Sequence, residues 1–97
     1  MSILISAFTL AGFSAHLGSA FTLNGSDGLA LTLAEAESLP GQAPGASSFS
    51  LIFRGPAHAL LEQATHTLAH PAMGLLSLFL VPVGREADGV HYQAIFN

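Results

Sequence analysis

This chain has no cysteine, no lysine and no tryptophan, and its 97 residues carry only two arginines and six carboxylates. Without cysteine it forms no disulfide and offers no thiolate, so the sequence does not reveal its redox compartment. Two isolated arginines cannot neutralise a run of phosphates, which argues against nucleic acid and anionic membranes as partners. Soluble domains typically carry about 25% charged residues, whereas this chain carries 8%. We therefore expect a partner to cover part of its surface.

Long hydrophobic runs are also missing. The longest apolar stretch, residues 75–83, is interrupted by Ser77 and Pro82 and falls far short of the roughly 20 residues in a membrane-spanning helix. Residues 1–20 are apolar but lack the positively charged start of a secretory signal, so we interpret them as mature protein. The expectation is a chain without a membrane span, cytoplasmic by default.

Hydrophobic residues are plentiful, at 51% of the chain, which is far from the composition of disordered proteins. A chain of this length buries one modest core, so residues 1–97 are predicted to form a single domain. In several segments these residues recur at every second position, the period of a β-strand. The clearest segment is 48–54, where Phe49, Leu51 and Phe53 share one face.

A β-hairpin is predicted near the start of the chain. Residues 21–23 and 29–33 alternate on either side of Asn24–Gly28, which has the composition of a turn. This loop is not interpreted as a calcium site, because it lacks further oxygen ligands and a bidentate glutamate.

The remaining segments follow from proline, glycine and hydrophobic spacing. Residues 57–70 fit either a helical stripe or a strand after a loop, and we favour a loop or single turn through about Glu62. A short helix or a turn around 57–63 stays open. The other predictions are a surface loop at 38–47, strands at 64–70, 75–83 and 90–96, a turn at 71–74 and a polar hairpin loop at 84–89.

About six strands joined mostly by short turns predict an all-β domain with a largely antiparallel sheet. A single β-sandwich or a small β-barrel would satisfy this pattern, and both alternatives remain open.

Several stretches of the chain together form a recognisable pattern. They are Phe13, His16-Leu17-Gly18, Phe21, Ser48–Pro56, Leu61-Glu62-Gln63, His70-Pro71, Gly74, Phe79–Val83 and the ending Tyr92-Gln93-Ala94-Ile95-Phe96-Asn97. This pattern resembles a family of short bacterial proteins of unknown function, loosely associated with phage-tail-like collar or fibre proteins. The resemblance covers about residues 8–97 and implies a compact all-β domain, with no catalytic residues to transfer. Many members carry a Gly-Thr-Tyr type run where this chain has Ala64-Thr65-His66.

Histidine is a common metal ligand, and the chain has five. His66 and His70 are four residues apart, which would place them on one face of a helix. In the predicted strand the same spacing separates them by roughly 13 Å, too far to share an ion. His16, His58 or His91 could complete a site only through tertiary proximity, so no metal site is predicted.

Catalysis is not predicted either. No Gly-x-Ser-x-Gly elbow occurs, and no spacing places a serine beside a histidine and an acid. Glu35 and Glu37 would lie about 6–7 Å apart on one strand face, within the range of paired carboxylates in glycosidases. Their position beside a Pro/Gly-rich loop favours a solvated strand end instead. The sequence therefore predicts that the protein is not an enzyme and needs no cofactor.

Five hydrophobic residues stand out as candidate interface contacts because of their strand phase. Ile52 and Ile95 occupy otherwise polar phases, and residues 75–83 are apolar on both faces, so that strand must be covered twice. One interpretation is a central strand between two layers of one domain. The other is an interface formed by Ile52, Leu75, Phe79, Val81 and Ile95.

The functional hypothesis is a non-catalytic assembly subunit that packs against protein, either further copies of itself or a tail- or fibre-like partner. The alternative is a small barrel that binds an apolar small molecule in its interior or mouth. A cavity in the structure would favour the ligand, and a filled interior would favour assembly.

Overall fold

The computed structural model describes residues 9–25, 28–39 and 48–96, which form one short helix and six strands. The prediction of an all-β domain of about six strands is confirmed. Within these ranges no helix is both long and apolar enough to cross a membrane. In chain order the elements are α1 (Leu10–Ser14), β1 (Ala20–Leu23), β2 (Ala30–Ser38), β3 (Phe49–Gly55), β4 (Ala64–His70), β5 (Gly74–Glu86) and β6 (Gly89–Phe96).

The strands form two antiparallel meanders, β1-β2-β3 and β4-β5-β6, that join edge to edge into a ring. Between β3 and β6 the junction runs from the pair Phe49–Phe96 to the pair Gly55–Val90. The junction between β1 and β4 is short, with Thr22 opposite Ala69 and Leu23 opposite Leu68. The order around the ring, β1-β2-β3-β6-β5-β4, places β2 opposite β5.

Alternate residues of the strands point into the ring and fill it with hydrophobic side chains. On β3 these are Phe49, Leu51 and Phe53, as the alternation predicts, because burying one phase of the strand leaves the other phase outside. Helix α1 closes one end of the ring with Phe13, whose ring centroid lies 6.0 Å from that of Phe49 and 5.5 Å from that of Phe96. The side chain of Thr9 caps the helix by accepting from the amide of Gly12 at 3.0 Å.

The connection from β3 to β4 must cross the ring, because these strands are not neighbours. The hydroxyl of the buried Tyr92 anchors it by accepting from the amide of Leu61 at 2.9 Å and donating to the carbonyl of Ala59 at 3.3 Å. The structure contains a turn at residues 57–58 and no helix between Pro56 and Gln63. The predicted strand at 64–70 is confirmed as β4.

Three boundary predictions need correction. The helix lies at Leu10–Ser14, where five residues with one buried side chain are too few to show a helical period. The predicted hairpin loop at 84–89 is shorter than expected, because a bulge between Pro82 and Gly84 lets β5 continue to Glu86 and leaves a turn at residues 87–88. Ser38 ends β2 rather than beginning a loop. Residues 40–47, and 26–27 of the predicted hairpin turn, lie outside the described residues.

Candidate functional site

Strand β5 is hydrophobic on both of its faces. Leu76, Leu78 and Leu80 point into the ring and are at most 2% exposed. In the alternate phase of the strand, Leu75 and Phe79 point outward and are 67% and 53% exposed. The strand thus contributes to the core with one face and presents hydrophobic side chains to solvent with the other.

Neighbouring strands extend this outward hydrophobic surface. Val81 lies opposite Gln93 of β6, and Gln93 lies opposite Ile52 of β3, so the three form one row across the sheet. Ile95, two residues beyond Gln93 on the same face, is 53% exposed, whereas Ile52 and Val81 are half-buried. All five residues predicted as contacts therefore lie outside the ring. We call this set, Ile52, Leu75, Phe79, Val81 and Ile95, the outer apolar face.

Charge is absent from the centre of this face. No residue from Gly74 to Gly84 is charged, whereas Glu35 of β2 lies opposite Ile52 at the margin of the face. Leu60 and Val83 are also exposed, at 59% and 50%, and neither was among the predicted contacts. Val83 has the same strand phase as Phe79 and Val81, so alternation alone places it outward.

A second cluster joins His16, Ser19 and His70 at the end of the ring near α1. The imidazoles of His16 and His70 are 4.5 Å apart between centroids, and the ring of Phe21 lies 4.5 Å from that of His70. Nε2 of His70 lies 3.0 Å from Oγ of Ser19, which donates to the carbonyl of His16 at 2.7 Å. The sequence did not predict this grouping, because Ser19 and His70 are 51 residues apart.

The hydrogen bonds determine the protonation of His70. Its Nδ1 accepts from the amides of Ala72 at 3.0 Å and Met73 at 3.3 Å, so this nitrogen carries no proton. The neutral ring then carries its proton on Nε2 and donates it to Ser19. A general base that activates a serine needs the reverse arrangement, with a free Nε2 facing the hydroxyl. This tautomer holds the turn after β4 against the residues before β1, and it does not activate Ser19.

We expect the free energy of unfolding to fall as the pH is lowered from about 7 to 5.5. Burial, together with the nearby His16, lowers the pKa of His70 from its ordinary value of 6.5. The unfolded chain takes up this proton near pH 6.5 and the folded chain only at lower pH, so acid favours unfolding in this window. The stabilisation is complete above pH 6.5. Urea denaturation at several pH values measures it.

The matched variants are His70→Asn and His58→Asn. Asparagine at position 70 retains a short-chain acceptor for the Ala72 and Met73 amides but does not titrate, so the loss with pH should become smaller. His58 is exposed, and its replacement should leave the loss unchanged. A loss as steep in His70→Asn as in the unmodified chain would assign the pH dependence to another group.

The other polar groups that could bind a metal are the histidines of β4 and the acidic hairpin between β5 and β6. His66 and His70 lie on a strand, as predicted, and Nε2 of His66 is 2.8 Å from the carbonyl oxygen of Glu62. Among the described residues, Glu86, Asp88 and His91 bring three potential ligand atoms within 4.8 Å of one another. Asp88 already faces His91 at 3.2 Å and Arg54 at 4.0 Å. Surface ion pairing accounts for this hairpin cluster, and we assign no metal to it.

Comparison with known sequences covers nearly the whole chain. One family's sequence profile matches residues 8–96, and that family has no assigned function, in agreement with the resemblance stated above. No curated protein and no solved structure matches the chain significantly. The chain belongs to the family described as Domain of unknown function (DUF6916).

Proposed function

We propose that this domain is a non-catalytic assembly subunit that acts by packing its outer apolar face against protein. The observation that carries the proposal is the double-sided hydrophobicity of β5. Leu75 and Phe79 are more than half exposed on a strand whose other face forms the core. A strand that is apolar on both faces is normally covered on both. In the described residues only the inner face is covered.

The charge distribution supports this interpretation. Natural sheets discourage unwanted association with lysines and other charges on exposed strands. Here the exposed part of β5 from Leu75 to Val83 has none, and the chain has no lysine at all. An exposed apolar patch without these safeguards is typical of an interaction surface.

Hydrophobic transfer supplies the binding energy in this proposal. Covering one such side chain contributes roughly 1.5–3 kcal/mol, while association itself costs several kcal/mol in lost freedom of motion. One or two residues are therefore not enough, and most of the outer apolar face must be covered together. The partner surface must be equally apolar and uncharged.

The nature of the partner is part of the proposal. The motifs quoted above resemble bacterial proteins associated with phage-tail-like collars or fibres, which supports a tail- or fibre-like protein, or further copies of the chain, as partner. Assembly is preferred to the alternative of a ligand-binding barrel, because among the described residues Phe21, Phe53, Tyr92 and the inward leucines pack together inside the ring.

Photo-crosslinking in the native cells tests this function. Benzoylphenylalanine is placed at Ile52 or Phe79, with Thr22 as the matched control, since Thr22 is an exposed outward residue on β1, two strands away from both β3 and β5. We expect protein adducts from positions 52 and 79 and few from position 22. Mass spectrometry then identifies whether each adduct contains a second copy or another protein. Equal yields at all three positions would contradict the proposal.

A further inference from the structure

Strand β5 changes its pairing partner halfway along its length. Residues 74–80 pair with β4, from Gly74 opposite His70 to Leu80 opposite Ala64. Residues 81–86 pair with β6, beginning at Val81 opposite Gln93. The first half of β5 therefore has one paired edge, and no described strand pairs with its other edge.

The backbone groups on this unpaired edge can be identified from strand geometry. Asn24 beside β1 donates to the carbonyl of Thr67 at 2.8 Å, so Thr67 and every second residue of β4 direct their backbone groups toward β1. The intervening residues of β4, among them Leu68, direct their backbone groups toward β5. There they pair with Leu76, Leu78 and every second residue of β5. The amides and carbonyls of Leu75, Ser77 and Phe79 must then point away from β4.

This edge is complementary to itself. In an antiparallel pair centred on Ser77, two copies place Ser77 opposite Ser77 and Leu75 opposite Phe79. Every one of these pairs has the hydrogen-bonded orientation. The six amides and carbonyls that no described strand pairs in one copy therefore meet the same six of the other copy. Leu75 of each copy also contacts Phe79 of the other, as opposite residues do across neighbouring strands.

Each copy carries a net charge of −4, but charge repulsion does not oppose this contact. The paired segment is uncharged, and Glu35 and Glu37 lie on β2 at the far side of each ring. Glu86 and Asp88 follow six or more residues beyond the last paired position. Two copies that meet along this edge therefore bring no carboxylates together.

We propose that the unpaired edge of β5 binds a second copy of this chain, forming an antiparallel β5–β5 pair centred on Ser77. The inference rests on the proposed packing function and names its partner. Addition of an extended strand to a free sheet edge is an established mode of protein recognition.

Ser77→Cys provides a direct test, because the chain has no other cysteine. Opposite residues of a hydrogen-bonded antiparallel pair are about 5.5 Å apart between Cα atoms, which suits a disulfide. Thr22→Cys, on an exposed outward position of β1, is the matched control. We expect the Ser77→Cys dimer to form about tenfold faster than the control dimer under mild oxidation, since pre-associated thiols react at a high effective concentration. Equal rates would overturn the inference.

Analytical sedimentation of the unmodified chain, which has no cysteine, gives an independent test. We expect a reversible dimer at about 0.1 mM. The variant Ser77→Lys should lose the dimer, because it places two like charges at the centre of the pair, whereas Thr22→Lys should retain it. Circular dichroism checks that both variants fold. A monomer at this concentration, or a dimer that survives Ser77→Lys, contradicts the inference. If crosslinks from Phe79 then join a different protein, the packing function stands while the second copy is excluded.

Discussion

Phe13→Ala is expected to lower the free energy of unfolding by about 3–5 kcal/mol, the usual cost of removing a buried phenylalanine. Phe13 is fully buried and is the side chain with which α1 closes one end of the ring against Phe49 and Phe96. Its removal opens a cavity that no neighbouring strand can fill, because the strands are held by their ladders. Domains of this size are stable by roughly 5–15 kcal/mol, so urea denaturation will measure the change directly.

Phe79→Ala is the matched control for this experiment, since it makes the same substitution on the outer apolar face. Phe79 is 53% exposed, and a change at an exposed position usually alters stability by less than about 0.5–1 kcal/mol. A loss comparable to that of Phe13→Ala would show that Phe79 belongs to the core of the folded unit. The outer apolar face would then no longer be available to a partner.

Gly89→Ala is expected to destabilise the protein by about 3 kcal/mol, from steric overlap and backbone strain together. Gly89 begins β6 with a φ of +137°, and a Cβ atom there would overlap the carbonyl oxygen of Gly55 on β3. Because the overlap is with backbone, no side chain can rotate away to relieve it. The thermal midpoint should fall by several degrees for each kcal/mol lost.

Gly84→Ala serves as the comparison for Gly89→Ala. Gly84 lies on β5 in the same hairpin, and a Cβ atom there would have no neighbour within 4 Å. Its replacement should therefore change stability little. Equal losses at the two positions would mean that β6 does not approach β3 as closely as described.

The outer apolar face was predictable from strand phase alone. Once 48–54 and 75–83 are recognised as strands, burying Phe53 and Leu78 obliges Ile52 and Phe79 to point outward, because neighbouring residues of a strand alternate. Predictions that depended on glycine as a loop signal were less successful. Gly84 suggested the end of a strand, but β5 continues through it after a bulge beside Pro82. A bulge depends on the partner strand as much as on local sequence.

The histidine cluster shows the opposite case. No spacing in the sequence relates Ser19 to His70, because they meet only where the short junction of β1 with β4 closes the ring. The tautomer of His70 depends in turn on the amides of the turn that follows it. The sequence around Ser19 and around His70 therefore contains no local pattern that indicates their contact.

The sequence by itself determined that this is a β protein, where most of its strands lie and, in strands with one polar phase, which side chains point outward. These properties follow from a period of two residues, which each strand carries within its own few residues. Tertiary structure decided that β3 pairs with β6, that α1 closes the ring, and that β5 exchanges β4 for β6 at Val81. Pairing of distant strands depends on the joint packing of the whole core and on loop closure, which no single segment encodes.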